Sequence, residues 1–262
     1  MDELLNNLTQ LVGEAKRIVV FTGAGISTES GIPDFRSPGG VWEKYDPNEF
    51  HIDCFLASAE SRRRYWQRTT HFYEGMRDAQ PNAGHMALVE LERMNKLKAV
   101  ITQNVDGLHQ IAGSDPEKVI ELHGTARYVH CLSCGHEHPR EEFQPWVTPE
   151  GEAPNCEKCD GLMKPATISF GQSLREDTLT RAAEATAECD LFLVVGSSLV
   201  VYPAAGFPLV AAQQGTPLVI INIQETPHDP LAQLVIHASA GDTLRPVVEN
   251  LGGNPIPIPM PS

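Results

Sequence analysis

Two pairs of cysteines in the middle of the sequence have the spacing of a metal site. Cys131 and Cys134 form one C-x-x-C pair, and Cys156 and Cys159 form a second pair after 21 intervening residues. Two such pairs can complete a tetrahedral thiolate site, which is typical of Zn²⁺. Because four thiolates leave no open coordination position, we expect one structural zinc ion that does not activate water.

Three histidines and two further cysteines lie beside or outside this cluster. His130, His136 and His138 could replace a thiolate ligand, although positions at the surface or around the ligands suit them better. Cys54 and Cys189 stand alone, and we expect both to be buried as small hydrophobic residues.

Small and hydrogen-bonding residues follow four apolar, β-branched segments. We predict that these segments, residues 17–23, 98–104, 190–196 and 217–222, are buried parallel strands. In an open α/β sheet, ligands bind at the carboxyl ends of the strands, where backbone N–H groups suit a pyrophosphate and amides suit ribose hydroxyls. The four segments that follow the strands are Gly23-Ala24-Gly25-Ile26-Ser27, Gln103-Asn104-Val105-Asp106, Gly196-Ser197-Ser198 and Asn222-Ile223-Gln224.

Each of these segments alone has a simpler interpretation. Gly-Ser-Ser is more often a turn, and Asp106 could cap the helix that follows it. A dinucleotide fingerprint would place a third glycine at position 28, where the sequence has Thr28. The agreement of all four strand ends is what favours a dinucleotide pocket.

His123 is a candidate general base. It lies just before the cysteine segment, 125–165. It lies at the seam between two predicted domains, and such seams are common catalytic sites. A neutral imidazole with a pKa near ~6.5 can accept a proton at physiological pH. From its spacing alone, however, a structural histidine bonded in the core is the better interpretation.

The elements that position these residues alternate along the chain. Helical patterns at 83–94, 175–189 and 203–214 separate the predicted strands, and this alternation predicts a doubly wound, Rossmann-like α/β sheet. We assign residues 1–35, 81–124 and 166–251 to this discontinuous domain. We assign a helical insertion, 36–80, and the cysteine module, 125–165, to a smaller zinc-binding domain, and we expect the Pro- and Gly-rich tail, 252–262, to be disordered or extended.

The charge and hydropathy of the chain exclude several functions. A formal net charge of −14 disfavours a nucleic-acid binder, whereas it is compatible with a lysine-bearing partner or simply with solubility. No apolar run approaches the ~18 residues of a membrane span. Leu4, Leu5 and Leu8 recur at helical spacing near the N-terminus, which has no secretory pattern, so we expect a cytoplasmic protein.

Taken together, these motifs resemble those of the sirtuins of bacterial type, which are NAD-dependent protein lysine deacylases. The resemblance extends from about residue 12 to residue 250. Its motifs are GAGIS at 23–27, SGIPDFR at 30–36, TQNVDGLH at 102–109, ELHG at 121–124, the two C-x-x-C pairs, GSSL at 196–199 and the segment at Asn222.

The resemblance implies a role for each of these segments. The Gly23-Ala24-Gly25 turn would lie against the NAD pyrophosphate, and Asp34, Phe35 and Arg36 would close over the nicotinamide ribose. Ser27, Asn104 and Asp106 would line the nicotinamide pocket, with Gln103 beside them. Gly196, Ser197, Ser198, Asn222, Ile223 and Gln224 would hold the phosphates and the adenosine ribose, and the backbone near Asp242 would meet the adenine.

The resemblance also implies a reaction, in which the acyl oxygen of the lysine attacks C1′ of the nicotinamide ribose and nicotinamide leaves. His123 would then take a proton from a ribose hydroxyl, and the products would be free lysine and O-acyl-ADP-ribose. The segment 166–174, with Ile168, Phe170 and Gly171, would pair with the substrate backbone as an added strand.

Two positions depart from the family pattern. Sirtuins that prefer succinyl or malonyl lysine have a Tyr-x-x-Arg pair, whereas here Tyr73 is followed at that spacing by Met76, and Arg77 comes one position late. One residue rotates a helical side chain by ~100°, so we predict a preference for uncharged acyl groups. The family's Phe-Gly-Glu is also replaced, by Phe170-Gly171-Gln172.

Two other functions remain open from the sequence alone. Transfer of ADP-ribose to a protein, or plain hydrolysis of NAD, would share the first chemical step. A zinc-stabilised NAD-binding module without catalysis is the third interpretation, although the presence of His123, Asn104 and Asp106 disfavours it.

Overall fold

A computed structural model describes residues 1–256 of the chain. In this described part of the chain nine strands form two sheets, and their bounds are β1 Ile18–Thr22, β2 Leu97–Thr102, β3 Val119–Glu121, β4 Gly124–Cys131, β5 Glu137–Pro139, β6 Met163–Thr167, β7 Leu191–Val195, β8 Leu218–Ile221 and β9 Leu234–Ile236. The α-helices within residues 1–256 are α1 Asp2–Glu14, α2 Val41–Lys44, α3 Ile52–Ala57, α4 Ala59–Arg77, α5 Ala83–Arg93, α6 Leu108–Ala112, α7 Arg140–Phe143, α8 Glu176–Glu188, α9 Gly206–Gln213 and α10 Ala240–Asn250.

Six parallel strands form the main sheet, in the order β3-β2-β1-β7-β8-β9. All five residues of β1 and all five of β7 are buried, because helices cover both faces of the sheet. Alternate side chains enter the two layers: Val20 packs with α1, α5 and α10, whereas Val19 and Phe21 pack with α8 and α9. The predicted Rossmann-like α/β fold is confirmed.

The four predicted strands and the three predicted helices that separate them all exist, with ends that shift by at most three residues. The strands β3 and β9, which are three residues long and lie at the two edges of the main sheet, were not predicted. A strand of three residues is too short to show an alternating pattern.

A second, antiparallel sheet has the order β5-β4-β6 and carries the four cysteines at one end. Its core is shared with the helical insertion, because Trp66 of α4 stacks on Phe143 of α7 with ring centroids 5.5 Å apart. Phe55 of α3 and Val129 of β4 are fully buried in the same cluster. Two segments that are distant in sequence therefore form one small hydrophobic core.

One expectation about a single residue is wrong. Cys54 is exposed, and its Sγ donates to the Asn48 carbonyl, because α3 turns this position away from Phe55 and the small core. Cys189 is buried, as expected. The start of the tail, which we expected to be disordered or extended, has no helix or strand at 253–256 and is held by two hydrogen bonds from Asn254 to Glu90. The rest of this predicted tail, 257–262, lies outside the described residues.

No helix within residues 1–256 combines the length and the apolarity that crossing a bilayer requires.

Candidate active site

A cavity of about 880 Å³ opens at the carboxyl ends of β1 and β7. The order of the strands reverses between these two neighbours, and a crevice at such a switch point is where α/β sheets bind ligands. Nearly all of the site residues predicted from the sequence line this one cavity: Gly23, Ala24, Gly25, Ser27, Asp34, Phe35, Arg36, Gln103, Asn104, Asp106, His123, Ile168, Phe170, Gly171, Gly196, Ser197, Ser198, Asn222, Ile223 and Gln224.

Asp242 is the predicted residue that does not line the cavity. Its carboxylate accepts a hydrogen bond from Ser239, whose hydroxyl in turn caps the first turn of α10. The residues that reach the cavity from this segment are Ala238, Ser239 and Ala240. The contact between this segment and an adenine stays a prediction, and Ala238, Ser239 and Ala240 are further candidates for it.

The glycines at 23, 25 and 196 allow two turns to cross in contact. The Gly25 N–H donates to the Gly196 carbonyl over 2.8 Å, and a Cβ on Gly25 would lie 2.7 Å from the Gly196 Cα. Gly196 has a φ of +64°, a conformation that favours glycine. At position 28 no such crossing occurs, and the Thr28 hydroxyl instead donates to the Gly25 carbonyl, so a third glycine is not needed.

Three buried polar side chains form a chain of hydrogen bonds at the base of the cavity. The Asn104 amide donates to the Ser27 hydroxyl over 3.2 Å, and this hydroxyl donates to the Asp106 carboxylate over 2.8 Å. The other carboxylate oxygen accepts from the Leu108 N–H, so Asp106 also caps α6 as its position suggested. Burial raises the pKa of Asp106, although the bonds from Leu108 and Ser27 act in the opposite direction.

His123 reaches the cavity from the short connection between β3 and β4. Its Nδ1 lies 3.0 Å from the Gln103 carbonyl oxygen. A carbonyl oxygen only accepts, so Nδ1 carries the proton and Nε2 of the neutral ring keeps its lone pair. Burial lowers the pKa of His123, which keeps the ring neutral at physiological pH.

Residues from the ends of β2, β7 and β8 also line the cavity. The Gln103 amide donates to the Ser197 hydroxyl over 2.8 Å, which ties the end of β2 to the end of β7. The Asn222 amide donates to the Gln224 carbonyl, and Ile223 between them is 66% exposed. Asn222, Ile223 and Gln224 therefore form a turn that lies open to a ligand.

The segment after the glycine turn forms a cover of aromatic side chains. The Asp34 carboxylate accepts from the Arg36 and Ser37 N–H groups, which holds the loop in a tight turn. This turn places Phe35 with its ring centroid 5.0 Å from that of Trp42. The ring centroid of Trp42 lies in turn 6.3 Å from that of Phe170, so three aromatic rings line this side of the cavity. Trp42 was not predicted, because a lone tryptophan in a polar stretch gives no periodic signal.

The segment predicted to pair with a substrate backbone is partly paired within the chain. The Phe170 N–H donates to the Phe50 carbonyl, and the Phe170 carbonyl accepts from the Ile52 N–H. The Gln172 side-chain oxygen accepts from the Ser169 N–H over 2.8 Å. A glutamate oxygen would make this contact equally well, so the departure from Phe-Gly-Glu leaves the turn intact.

The wall near α4 contains a buried cation that sequence reasoning missed. Arg140 is 1% exposed, and its guanidinium lies between the rings of Trp66 and Tyr73, 4.8 and 5.0 Å from their centroids. Its Nε donates to Gln144, whereas Nη2 has no hydrogen-bond partner and no carboxylate lies within 4.0 Å among the described residues. Burial lowers the pKa of Arg140 to about 10. Tyr73, Met76 and Arg140 all line the cavity.

The four predicted cysteines converge at the end of the small sheet, and all four Sγ atoms lie within 4.8 Å of one another. Cys131 and Cys159 are 3.5 Å apart, and Cys134 and Cys156 are 3.7 Å apart. Zn–S bonds of about 2.3 Å in a tetrahedron require sulfur separations of roughly 3.8 Å, so these thiols fit one zinc ion. The backbone N–H of Ser133 points at Cys131 Sγ and stabilises a thiolate there.

Comparison with known proteins identifies the family. The model of the Sir2 family matches residues 23–203. An NAD-dependent protein deacetylase of Rhodopseudomonas palustris is 47% identical over 94% of this chain and 96% of its own. NAD-dependent protein deacetylase 1 of Bradyrhizobium diazoefficiens is 49% identical over the same shares of the two chains. This chain belongs to the Sir2 family, and the resemblance to sirtuins is confirmed.

Solved structures agree with this assignment. A Sir2 protein bound to a p53 peptide and NAD⁺ has a TM-score of 0.84 and is 39% identical over 95% of this chain and 98% of its own. A second Sir2 structure, with a deacetylated p53 peptide and 3′-O-acetyl-ADP-ribose, has a TM-score of 0.87 at 39% identity, covering 95% of this chain and 99% of its own.

Proposed function

We propose that this Sir2-family chain removes acyl groups, acetyl above all, from the lysines of proteins and consumes NAD in doing so. The relatives named NAD-dependent protein deacetylase support this function, because their identity of 47–49% extends over 94% of the chain. NAD supplies an electrophilic ribose carbon when nicotinamide departs. One zinc ion held by the four cysteines stabilises the small sheet and takes no part in the reaction.

His123 carries this proposal, because its geometry suits a general base. The hydrogen bond from Nδ1 to the Gln103 carbonyl fixes the tautomer, and Nε2 of this cavity-lining residue is left to accept a proton. In this role His123 would take the proton of a ribose hydroxyl. Within residues 1–256, the hydrogen bond of this ring is made by Nδ1, so the lone pair of Nε2 stays available for a substrate proton.

The remaining site residues have roles that follow from their positions in the cavity. The chain from Asn104 through Ser27 to Asp106 would orient a carboxamide at the base of the cavity. The glycine crossing would leave room for a pyrophosphate, and Ser197 and Asn222 would bind the adenosine half. We also propose the division into a Rossmann-like domain and a smaller domain, because the helical insertion and the cysteine module share one core.

The part of α4 that lines the cavity favours a lysine substrate with an uncharged acyl group. Tyr73 and Met76 line the cavity, whereas Arg77 is an exposed residue whose guanidinium pairs with Asp78. The positive charge of Arg77, one position after the place of the arginine in the Tyr-x-x-Arg pair, is therefore paired with Asp78 at the surface. This arrangement supports the prediction that acetyl is preferred to succinyl or malonyl.

Arg140 favours a second candidate, the removal of acyl groups that end in a carboxylate. A guanidinium that is buried without an acidic partner is costly unless a ligand supplies the counter-charge. Arg140 lies against Tyr73 on the same wall, so an acyl carboxylate would find an unpaired Nη2 there. This candidate and the preference for acetyl make opposite predictions for one assay.

The decisive experiment is a panel of acetyl-, propionyl-, succinyl- and glutaryl-lysine peptides with one sequence. Nicotinamide and O-acyl-ADP-ribose are both measured, and a deacylase must release them in equal amounts. Nicotinamide without O-acyl-ADP-ribose would instead identify an NAD hydrolase or an ADP-ribosyltransferase. Higher kcat/KM for acetyl than for succinyl supports the first candidate, and the reverse order supports the second.

The Arg140→Met variant distinguishes the two candidates at the level of the residue. If Arg140 binds an acyl carboxylate, kcat/KM for succinyl falls by roughly 10- to 150-fold, which corresponds to a loss of about 1.5–3 kcal/mol from a charged hydrogen bond, while acetyl is unaffected. If Arg140 only packs, both substrates change together. Arg77→Met is the matched control, because this arginine lies on the surface.

A further inference from the structure

The small sheet carries a second cluster of metal-ligating side chains beside the cysteines. His136, His138 and Glu157 each offer one ligand atom, and these atoms lie within 4.8 Å of one another. This cluster shares no residue with the four cysteines and lies outside the cavity of the proposed active site.

The register of β5 explains why the two histidines face the same way. His136 directly precedes β5 and His138 is its central residue, and side chains two apart lie on one face of an extended chain. Their imidazole centroids are 4.6 Å apart, whereas Glu137 between them is exposed on the other face. His138 also contacts the rings of Phe143 and Trp146, which fixes its orientation.

Glu157 reaches the same point from the turn that carries the second cysteine pair, Cys156 and Cys159. It follows Cys156, and its Oε1 lies 3.3 Å from His136 Nε2 and 3.9 Å from His138 Nε2. Ligand bonds of about 2.0–2.1 Å to one tetrahedral ion separate neighbouring ligand atoms by roughly 3.4 Å. The first distance fits this value already, and the second needs a shift of about half an ångström from a carboxylate on an exposed, flexible side chain.

We propose that His136, His138 and Glu157 form a second, open metal site for a divalent transition ion. Two imidazoles and one carboxylate suit Zn²⁺, Co²⁺, Ni²⁺ and Cu²⁺ and disfavour Mg²⁺ and Ca²⁺, which prefer oxygen ligands. A cavity of about 240 Å³ lies beside His138 and Glu157, and it gives water access to the remaining coordination positions.

The two metal sites would differ in their purpose. The cysteine site has four protein ligands and is closed, whereas the histidine site has three and exchanges its ion with solution. The ligands of the histidine site would join β5, which follows the first cysteine pair, to the turn that carries Cys156 and Cys159. An ion bound at the histidine site would therefore cross-link the segments that carry the two cysteine pairs and stabilise the folded module.

The test uses the full chain without an affinity tag, loaded with one Zn²⁺ and dialysed. Equilibrium dialysis against Zn²⁺ at micromolar concentration, with metal counted by mass spectrometry, is expected to give two ions per chain. The His136→Ala and Glu157→Gln variants should each return this ratio to one. The matched control is Glu137→Gln, on the opposite face of the same strand, which should keep two.

Cobalt distinguishes the site from exchange at the cysteines. Co²⁺ added to the zinc-loaded chain should give weak visible bands of nitrogen and oxygen ligation, absent in His136→Ala, without thiolate-to-metal charge transfer. Mg²⁺ should not compete. One ion per chain in the wild type, a second ion that survives both substitutions, an equal loss in Glu137→Gln, or thiolate bands would each overturn the proposal.

Discussion

At the scale of single residues, the ring of His123 is held in one tautomer by the Gln103 carbonyl. The His123→Ala variant should bind NAD with unchanged affinity, because the residues that we propose for the phosphates and the adenosine follow β1, β7 and β8 instead. Its kcat should fall by about 100- to 10,000-fold, the usual contribution of a general base. Stopped assays of O-acyl-ADP-ribose, with NAD binding measured by calorimetry, check both parts. Unchanged turnover would remove His123 from the mechanism.

The buried chain of Asn104, Ser27 and Asp106 leads to a second prediction at this scale. In Ser27→Ala, the Asp106 carboxylate loses a donor while it stays buried, at a cost of about 1–3 kcal/mol. Inhibition by nicotinamide should weaken as well, because Asn104 loses one of its two acceptors and keeps only the Gly23 carbonyl. Thr28→Ala is the control, since its hydroxyl bonds only to the Gly25 carbonyl. If the control weakens nicotinamide binding equally, the network does not form the carboxamide site.

At the scale of elements, the crossing of the turns after β1 and β7 has no spare space. In Gly25→Ala, the new Cβ would meet backbone at 2.7 Å, so the two strand ends must separate. We expect a destabilisation of about 1–3 kcal/mol and loss of NAD binding. Gly75→Ala is the matched control, because Gly75 lies inside α4 with nothing within 4 Å of its Cβ position. That change should stabilise the helix by about 0.5–1 kcal/mol, as thermal unfolding can measure.

The cysteine module allows a prediction about metal removal. A chelator that strips the zinc should loosen β4, β5 and β6, because the small core depends on the buried Cys131 and Cys156. The main sheet should persist, since Phe21 and Val194 pack in a separate layer. Hydrogen exchange should therefore accelerate in the small sheet and stay slow in β1 and β7. Equal acceleration in both sheets would show that the module and the main sheet unfold together.

The elements also show what could be predicted from the sequence. Long β-branched runs gave β1, β2, β7 and β8, and the C-x-x-C spacing gave the metal site, because each is a local pattern. The edge strands β3 and β9 were missed since three residues carry no period. Arg140 could not have been found, because its environment between Trp66 and Tyr73 is created by packing of segments about 70 residues apart in the sequence.

At the scale of the whole molecule, buried ionisable groups set the response to acid. Burial lowers the pKa of His109 to about 4 and holds the pKa of His85 well below its usual value of 6.5. Burial raises the pKa of Glu121 from 4.5 to about 7. Just below pH 6.5, His85 and His109 are therefore still neutral in the folded chain, whereas the same two side chains are already protonated in the unfolded chain. Glu121 keeps a proton in the folded chain that the unfolded chain has released.

These groups act with opposite signs. Between pH 4 and 6.5 the unfolded chain binds more protons at His109, so stability falls as the pH falls, by up to about 1.4 kcal/mol per pH unit for this group. Between pH 4.5 and 7 the folded chain binds more protons at Glu121, so this residue makes stability rise as the pH falls. Burial also lowers the pKa of His123, His130 and His228 and raises that of Asp106, so five histidines oppose two carboxyls. We therefore expect a net loss of stability on going from pH 6.5 to pH 5.

Two variants separate the opposing contributions. Glu121→Gln should steepen the loss between pH 6.5 and 5, because its opposing contribution is gone, whereas His109→Gln should flatten it by up to about 1.4 kcal/mol per pH unit. Urea unfolding at half-unit steps of pH gives these slopes directly. If His109→Gln leaves the slope unchanged, the unfolded chain does not differ from the folded chain in protonation at this residue. The acid sensitivity would then belong to His85, whose ring centroid lies 5.0 Å from that of His109.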